Sequence, residues 1–341
     1  MKKLILLMLL ATVSLSVRAR ENQMPLTDLL ARFARAEAAM PATNPPVLVT
    51  NGSPESLPGH GLAEHPMLYI GEWCKKLFVV ADGKIIWGYA AEGRGEYEDA
   101  WMLSNGNILF TRLHYIAEVT PEKQIVWRFD APKGTEIATG QPIGQDKVVF
   151  IENGKPPRLV VMNKKTGATE FEHELPYDLK AGVHAQFRRV RYTAQGTFLV
   201  SFQLLDQVVE YDQNFNEIWK YPVRSPWAAI RLKNGNTLIV DERDVDIREV
   251  NRAKEIVWRL RPEDLPPAQR FTYAQTCTRL ANGNTIVCTH VGRGQPPQLV
   301  EVTPDKKVVW LLRDWRELGG STAVQVLDEP GLPENPGDSQ H

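Results

Sequence analysis

The chain has 341 residues, 43% of them hydrophobic, enough for one large domain or two ordinary ones with a sizeable core. Its 40 Lys and Arg residues balance 41 Asp and Glu, for a formal net charge of −1. That balance argues against nucleic acid or an anionic membrane surface as partner, and three cysteines are too few for a disulfide scaffold.

From the N-terminus, Lys2 and Lys3 precede the apolar run Leu4–Val13, and Val17–Ala19 (VRA) offers a small-x-small cleavage site. Residues 1–19 therefore read as a secretory signal. The run is too short to span a bilayer, and no other long apolar run follows. The mature chain is expected to be exported, periplasmic or extracellular, without a transmembrane segment. No cysteine precedes Cys74, which disfavours a lipid-anchored start. Residues 20–66 hold a short amphipathic helix, Leu26–Met40, with Thr27 or Asp28 as its cap. A linker rich in Pro, Gly and Ser follows at Pro41–Gly61.

From residue 67 the chain repeats itself. The stretch MLSNGNILF (Met102–Phe110) returns as RLKNGNTLIV (Arg231–Val240) and RLANGNTIVC (Arg279–Cys288). Each copy is followed by a second half ending in tryptophan, as in YIAEVTPEKQIVW (Tyr115–Trp127), DIREVNRAKEIVW (Asp246–Trp258) and QLVEVTPDKKVVW (Gln298–Trp310). The anchors are Trp87, Trp127, Phe171, Trp219, Trp258 and Trp310, spaced by 40, 44, 48, 39 and 52 residues. A period in this range signals a propeller or a solenoid. Each unit reads as four short Val-, Ile- and aromatic-rich strands with Asn-Gly at the first turn and no helical periodicity. Four strands per unit make a propeller blade.

The ends of the repeat fit a closed ring. The first unit starts abruptly at Met67 with three strands, and Ser321–Glu329 (STAVQVLDE) looks like a first strand with nothing after it. That segment would complete the first blade and remove the open sheet edges. The expected fold is an all-β, six-bladed propeller over 67–330, with a polar, loose tail at 331–341. A monomer is expected, with the anchor tryptophans as core between blades rather than a ligand cage. Cys277 and Cys288 flank the Asn282-Gly283 turn. A two-residue turn would set them opposite each other and permit a disulfide in an oxidising compartment, whereas a three-residue turn shifts the register and removes the pairing.

The repeat LKNGNTLIV…REVNRAKEIVW resembles bacterial PQQ-like and arylsulfotransferase-like propeller repeats. With DAWML, GTEI, QFRRVR, SPWAAIRLKNGNTL and VQVLDEPG, it resembles a group of exported six-bladed proteins over about Met67–Pro330. The resemblance implies the fold. Function on such a scaffold resides in loops.

Two loop sets open on one face of such a ring, one leading into each inner strand and one joining second to third strands. Their residues converge on the channel, where a ligand site is expected. HAQFRR reads as the start of an inner strand, with His184, Gln186 and Arg188 on one face by period two. His184 near a guanidinium suits a nucleophile or general acid/base on an anionic group, and Arg188 suits a sulfate, phosphate or carboxylate. The alternative is that this face packs within the ring. Glu96, Asp99 and Glu136 supply carboxylates for arginine pairing, an oxygen-liganded cation or acid/base work, structural ion pairs being the plainer reading. Gln141 and Gln275 lie in the same loop set. Trp227 and Tyr273 suit aromatic walls for a sugar or aryl ring, as does Trp101 unless it is core. No ligand spacing supports a three-histidine metal centre from His114, His184 and His290.

Three functions stand. The first is a binding module for a small polar, aromatic or glycan ligand, or for a protein partner. The second, implied by the resemblance, is an arylsulfotransferase-like enzyme with His184 as transient sulfo acceptor and Arg188 and Arg189 as anion clamps; the N-terminal β-domain of that family has no counterpart here. The third is a quinoprotein dehydrogenase holding PQQ with calcium, for which neither a vicinal cysteine pair nor a cofactor signature is present. The binding module is the preferred reading.

Overall fold

The computed structural model describes residues 24–40, 64–72, 76–93, 95–290, 296–315, 317–338 and 340–341. The signal read at 1–19, the linker at 41–61 and Cys74 lie outside them. Among the described residues, no helix is long and apolar enough to cross a membrane.

The chain forms six antiparallel sheets of four strands each, arranged as a propeller. Blade one contains β1 (Met67–Gly71), β2 (Lys76–Ala81) and β3 (Lys84–Tyr89). Blade two contains β4 (Ala100–Met102), β5 (Ile108–Thr111), β6 (Tyr115–Val119) and β7 (Ile125–Asp130). Blade three contains β8 (Gly140–Ile143), β9 (Lys147–Glu152), β10 (Arg158–Asn163) and β11 (Thr169–Glu174). Blade four contains β12 (Val190–Tyr192), β13 (Phe198–Phe202), β14 (Gln207–Tyr211) and β15 (Glu217–Pro222). Blade five contains β16 (Pro226–Arg231), β17 (Thr237–Asp241), β18 (Asp246–Val250) and β19 (Ile256–Leu260). Blade six contains β20 (Ala274–Arg279), β21 (Thr285–Thr289), β22 (Leu299–Val302) and β23 (Val308–Leu312). The last strand, β24 (Ser321–Val326), pairs with β1 and completes blade one as the order β24-β1-β2-β3. The ring closes as the split first unit requires.

Burial follows position in the blade. Second and third strands such as β13 and β18 are buried at every residue, because blades cover both faces. Outer strands such as β7 alternate with solvent.

The repeated Asn-Gly hairpin has a three-residue loop. In blade five Leu232 N–H reaches Asn236 O and Gly235 N–H reaches Leu232 O, with Gly235 at φ +86. A type I turn followed by a left-handed glycine has this pattern. The flanking asparagines then bond a glutamate on the third strand. Asn105 and Asn107 reach Glu118, Asn234 and Asn236 reach Glu249, and Asn284 reaches Glu301. Each glutamate pairs in register with the anchor tryptophan, as in Glu249↔Trp258. The adjacent blade supplies a cation to the glutamate at this position, Lys164 to Glu118 and Arg279 to Glu249, and Arg231 to Glu210, which stands opposite Trp219 in blade four. The repeat thus encodes turn, blade and blade junction in one unit. Trp87, Trp219 and Trp310 are buried, while Trp127 and Trp258 are half-buried.

The same three-residue loop sets Cys277 opposite Val287 and Cys288 opposite Thr276. The two cysteines face different cores and are free thiols, so no disulfide joins them. Burial pushes the Cys288 thiol up to about 11.

The helix α1 spans Leu26–Ala38, with Pro25 rather than Thr27 or Asp28 at the cap position. It packs on the rim between blades one and two. Phe33 meets Trp87 edge-on at 5.1 Å, and Glu37 pairs with Lys123 at 2.7 Å.

The tail is packed, not loose. Leu332, Glu334, Gln340 and His341 are buried. Glu334 accepts from Ser104 N–H and Oγ at 2.7 and 2.6 Å, and Gln340 O accepts from Thr278 at 2.8 Å. Residues 331–338 and 340–341 thus lie on the hairpin face of the ring, beside a cavity of about 300 Å³ against blades five and six.

Candidate functional site

Six inner strands of limited length must meet around one axis without exposing their backbone groups. Side chains bridge them: Gln141 Oε1 accepts from Tyr192 N–H at 2.6 Å, and Gln325 Oε1 accepts from Met102 N–H at 2.7 Å. Asp99 is fully buried and binds Arg191 through both oxygens at 2.8 and 3.1 Å. His341 Nε2 lies 3.2 Å from the same carboxylate, and Arg191 donates to the His341 carbonyl at 2.9 Å. Burial works against the Asp99 charge, but Arg191, Arg189 and His341 outweigh it and hold the carboxyl well below its usual range. Asp99 and Gln141, expected as ligand contacts, are therefore structural. Trp101 is core as well: its Nε1 donates to Gly140 O, and its ring lies 4.2 Å from that of His341.

The opposite, loop-side mouth gathers the remaining candidates. HAQFRR is not the start of a strand; β12 begins only at Val190, and residues 184–189 form a turn and an irregular lead-in. The expected shared face of His184, Gln186 and Arg188 is therefore lost. Gln186 turns back into its own loop, bonding Asp178 N–H and the Asp178 and Gly182 carbonyls. His184 instead stands half-exposed, its Nδ1 held 2.8 Å from Glu136 Oε2. The Glu136 hydrogen bond raises the imidazole pKa above its ordinary value despite partial burial. Arg188 donates to the His184 carbonyl at 2.8 Å, and its guanidinium lies 4.3 Å over the Trp227 ring. Glu136, His184, Arg188 and Trp227 thus come together from the loops leading into blades three and four and from strand β16 of blade five.

Blade six and blade one complete the circle. His290 Nδ1 lies 2.7 Å from Gln275 Nε2 and 2.9 Å from Glu72 Oε2, and Thr322 donates to the same Glu72 oxygen. Deprotonated Nδ1 suits Gln275 as donor, and protonated Nδ1 suits Glu72 as acceptor. The His290 ring is 6.2 Å from that of Trp227. Tyr273 is 49% exposed, with a left-handed φ of +45, and accepts from His290 N–H through its carbonyl.

Glu98 stands among these groups and was missed by sequence reasoning, which took its neighbours Glu96 and Asp99. Period two was the available signal: Glu96 and Glu98 share a side on which Asp99 does not lie. Glu98 is buried, and its Oε2 accepts no hydrogen bond from a described residue. Burial, with Glu72 and Glu96 nearby, pushes its carboxyl up to about 7 against the pull of Arg188 and Arg189. Arg189 Nη1 stands 3.9 Å away. Glu96 is half-buried beside it.

His114 is exposed, and His184 and His290 are each taken by a carboxylate, so the three histidines build no shared centre. Among the described residues, no three His, Cys, Asp or Glu side chains are grouped to hold a metal ion. Glu72 and Glu136 are each engaged by a histidine, and a carboxylate so engaged does not fit a calcium-bound quinone.

No family model matches the chain, and no curated protein matches it. Among solved structures it is similar to a protein of unknown function from Bacteroides caccae, with a TM-score of 0.68 and 24% identity over 76% of this chain and 97% of that one. Virginiamycin B lyase from Staphylococcus aureus, in a catalytically inactive variant with quinupristin, aligns with a TM-score of 0.52 and 14% identity. That alignment covers 73% of this chain and 85% of the lyase. At these identities the likeness concerns the propeller fold.

Proposed function

We propose that the chain is an exported propeller that binds a small anion-bearing ligand at the loop-side mouth. One observation carries this reading. The Arg188 guanidinium lies 4.3 Å over the Trp227 ring, with only Nη1 engaged by a described residue and Nε left without a hydrogen bond. A stacked guanidinium with free nitrogens is suited to a carboxylate, sulfate or phosphate. Trp227 and the half-exposed Tyr273 offer aromatic surface for the rest of the ligand. The basic-apolar-small leader supports export.

A thermal-shift screen of the mature protein tests it, since a ligand that binds only the folded state raises the melting temperature. The panel holds aryl sulfates, small carboxylates, mono- and oligosaccharides, and PQQ with calcium. The expected result is a shift with an anion that disappears in Arg188→Ala. A sugar shift indifferent to Arg188 overturns the anion assignment, and a flat panel turns the search to a protein partner.

A second, enzymatic reading is favoured by the His184–Glu136 pair. An imidazole oriented by a carboxylate is the arrangement of a transient sulfo acceptor or an acid/base group. Turnover of an aryl sulfate, lost in His184→Ala, is its test.

A further inference from the structure

We propose a second ligand site on the opposite, hairpin face: a cleft at the junction of blades two and three that binds a small organic ammonium ion between Trp127 and Glu334.

The junction departs from the repeat. At three other junctions the next blade lays a cation over the anchor tryptophan. Lys123 lies 5.8 Å from the Trp87 ring, Arg231 5.2 Å from Trp219 and Arg279 5.0 Å from Trp258. Among the described residues, no cation lies over Trp127. Two local differences in blade three account for this. Strand β8 ends on Ile143, where β16 and β20 end on Arg231 and Arg279. The turn after β10 is also one residue longer than its counterparts: Asn163 N–H reaches Ala168 O, whereas Thr120 N–H reaches Gln124 O and Thr303 N–H reaches Lys307 O. Lys164, on that turn, pairs with Glu118 at 2.5 Å instead of covering the indole.

A cavity of about 490 Å³ lies at this junction, lined by Trp127, Lys164, Asp146 and Glu334 among others. It falls within the size of ligand clefts, about 300–1,000 Å³. Its charges do not cancel. Lys164 is matched by Glu118, and Lys165 by Asp146 at 2.8 Å. Glu334 comes from the tail and is 6% exposed. Its Oε1 accepts from Ser104 N–H and Oγ, and its Oε2 has no partner. Buried polar atoms of native proteins are nearly always bonded, and a buried carboxylate calls for a counter-charge. An ammonium ion supplies that charge to Glu334 and takes over Trp127 the place that lysine and arginine take at the other anchors.

The experiment titrates the purified protein with choline, tetramethylammonium and putrescine by saturation-transfer NMR, with 3,3-dimethylbutan-1-ol as the uncharged counterpart of choline. The expected result is binding of at least one of the three cations, and no binding of the alcohol. Glu334→Gln keeps the shape of the side chain and should weaken binding about 10-fold or more. Trp127→Leu should weaken it about 3-fold or more. If Trp127→Leu does not fold, Trp127→Phe carries the test, with a loss of about 2-fold or more. No binding of any of the three cations at millimolar concentration overturns the proposal. Equal binding of choline and the alcohol overturns the assigned charge. Wild-type affinity in either the Glu334 or the Trp127 variant overturns the site.

Discussion

Two carboxylates one residue apart behave in opposite ways. Asp99 meets Arg191 in a bidentate pair and stays charged, whereas Oε2 of Glu98 accepts no hydrogen bond and has Arg189 Nη1 no nearer than 3.9 Å. Removing Asp99 leaves the buried Arg191 guanidinium without its counter-charge. Asp99→Ala should therefore cost about 3–5 kcal/mol, read from urea unfolding. Glu98 gives a pH signature. Its folded pKa of about 7 lies above the ordinary 4.5, so folding favours the protonated form. The stability it contributes is fully present below 4.5 and is lost as pH rises through about 7. Wild type should lose more stability than Glu98→Gln between about pH 5 and pH 8; equal losses in the two proteins would remove Glu98 from the account. The site carboxylates could be nominated from composition, but their division of labour depends on which donors neighbouring blades bring.

At the scale of the element, the hairpin glycines set the register. Gly235 sits at φ +86, and a Cβ there would meet nothing within 4 Å. Gly235→Ala therefore isolates backbone strain and should cost about 1–2 kcal/mol in unfolding free energy. The same loop type in blade six separates Cys277 from Cys288, so the oxidised protein should retain its titratable thiols after denaturation. Asn-Gly was legible as a turn, but two- and three-residue loops share it, and the choice decided the disulfide question. The HAQFRR segment misled for a related reason. Alternating residues resemble a strand, yet here the chain needs a turn to bring Glu136 and His184 together. The rim helix was legible from its apolar spacing, while its partner Trp87 was not. Phe33→Ala should cost about 3–5 kcal/mol, checked by the same unfolding experiment.

For the whole molecule, closure is the organising event. Strand β24 returns across the full length of the ring to pair with β1 and leaves the tail on the hairpin face. The tail bonds side chains or backbone of blades two, three, four and six. Deleting residues 331–341 removes several hydrogen bonds, each contributing about 1 kcal/mol. The melting temperature should fall by several degrees, and an unchanged value would show that the tail contributes no stability. The loop-side mouth lies at the other end, assembled from all six blades, and deleting the tail should leave its ligand response intact.

What the sequence determined by itself was the repeat and everything the repeat encodes: six blades, the Asn-Gly turns, the tryptophan anchors and the split first blade. These are local, periodic signals, and each copy reinforces the others. What only the tertiary structure decided was the pairing of unlike loops. Glu72 meets His290, Glu136 meets His184, Arg188 covers Trp227, and Asp99 joins Arg191 and His341. Those partners lie 39 to 242 residues apart in the chain. They meet because six blades converge on one axis, and no periodicity along the sequence records which residues of six dissimilar loops will face one another there.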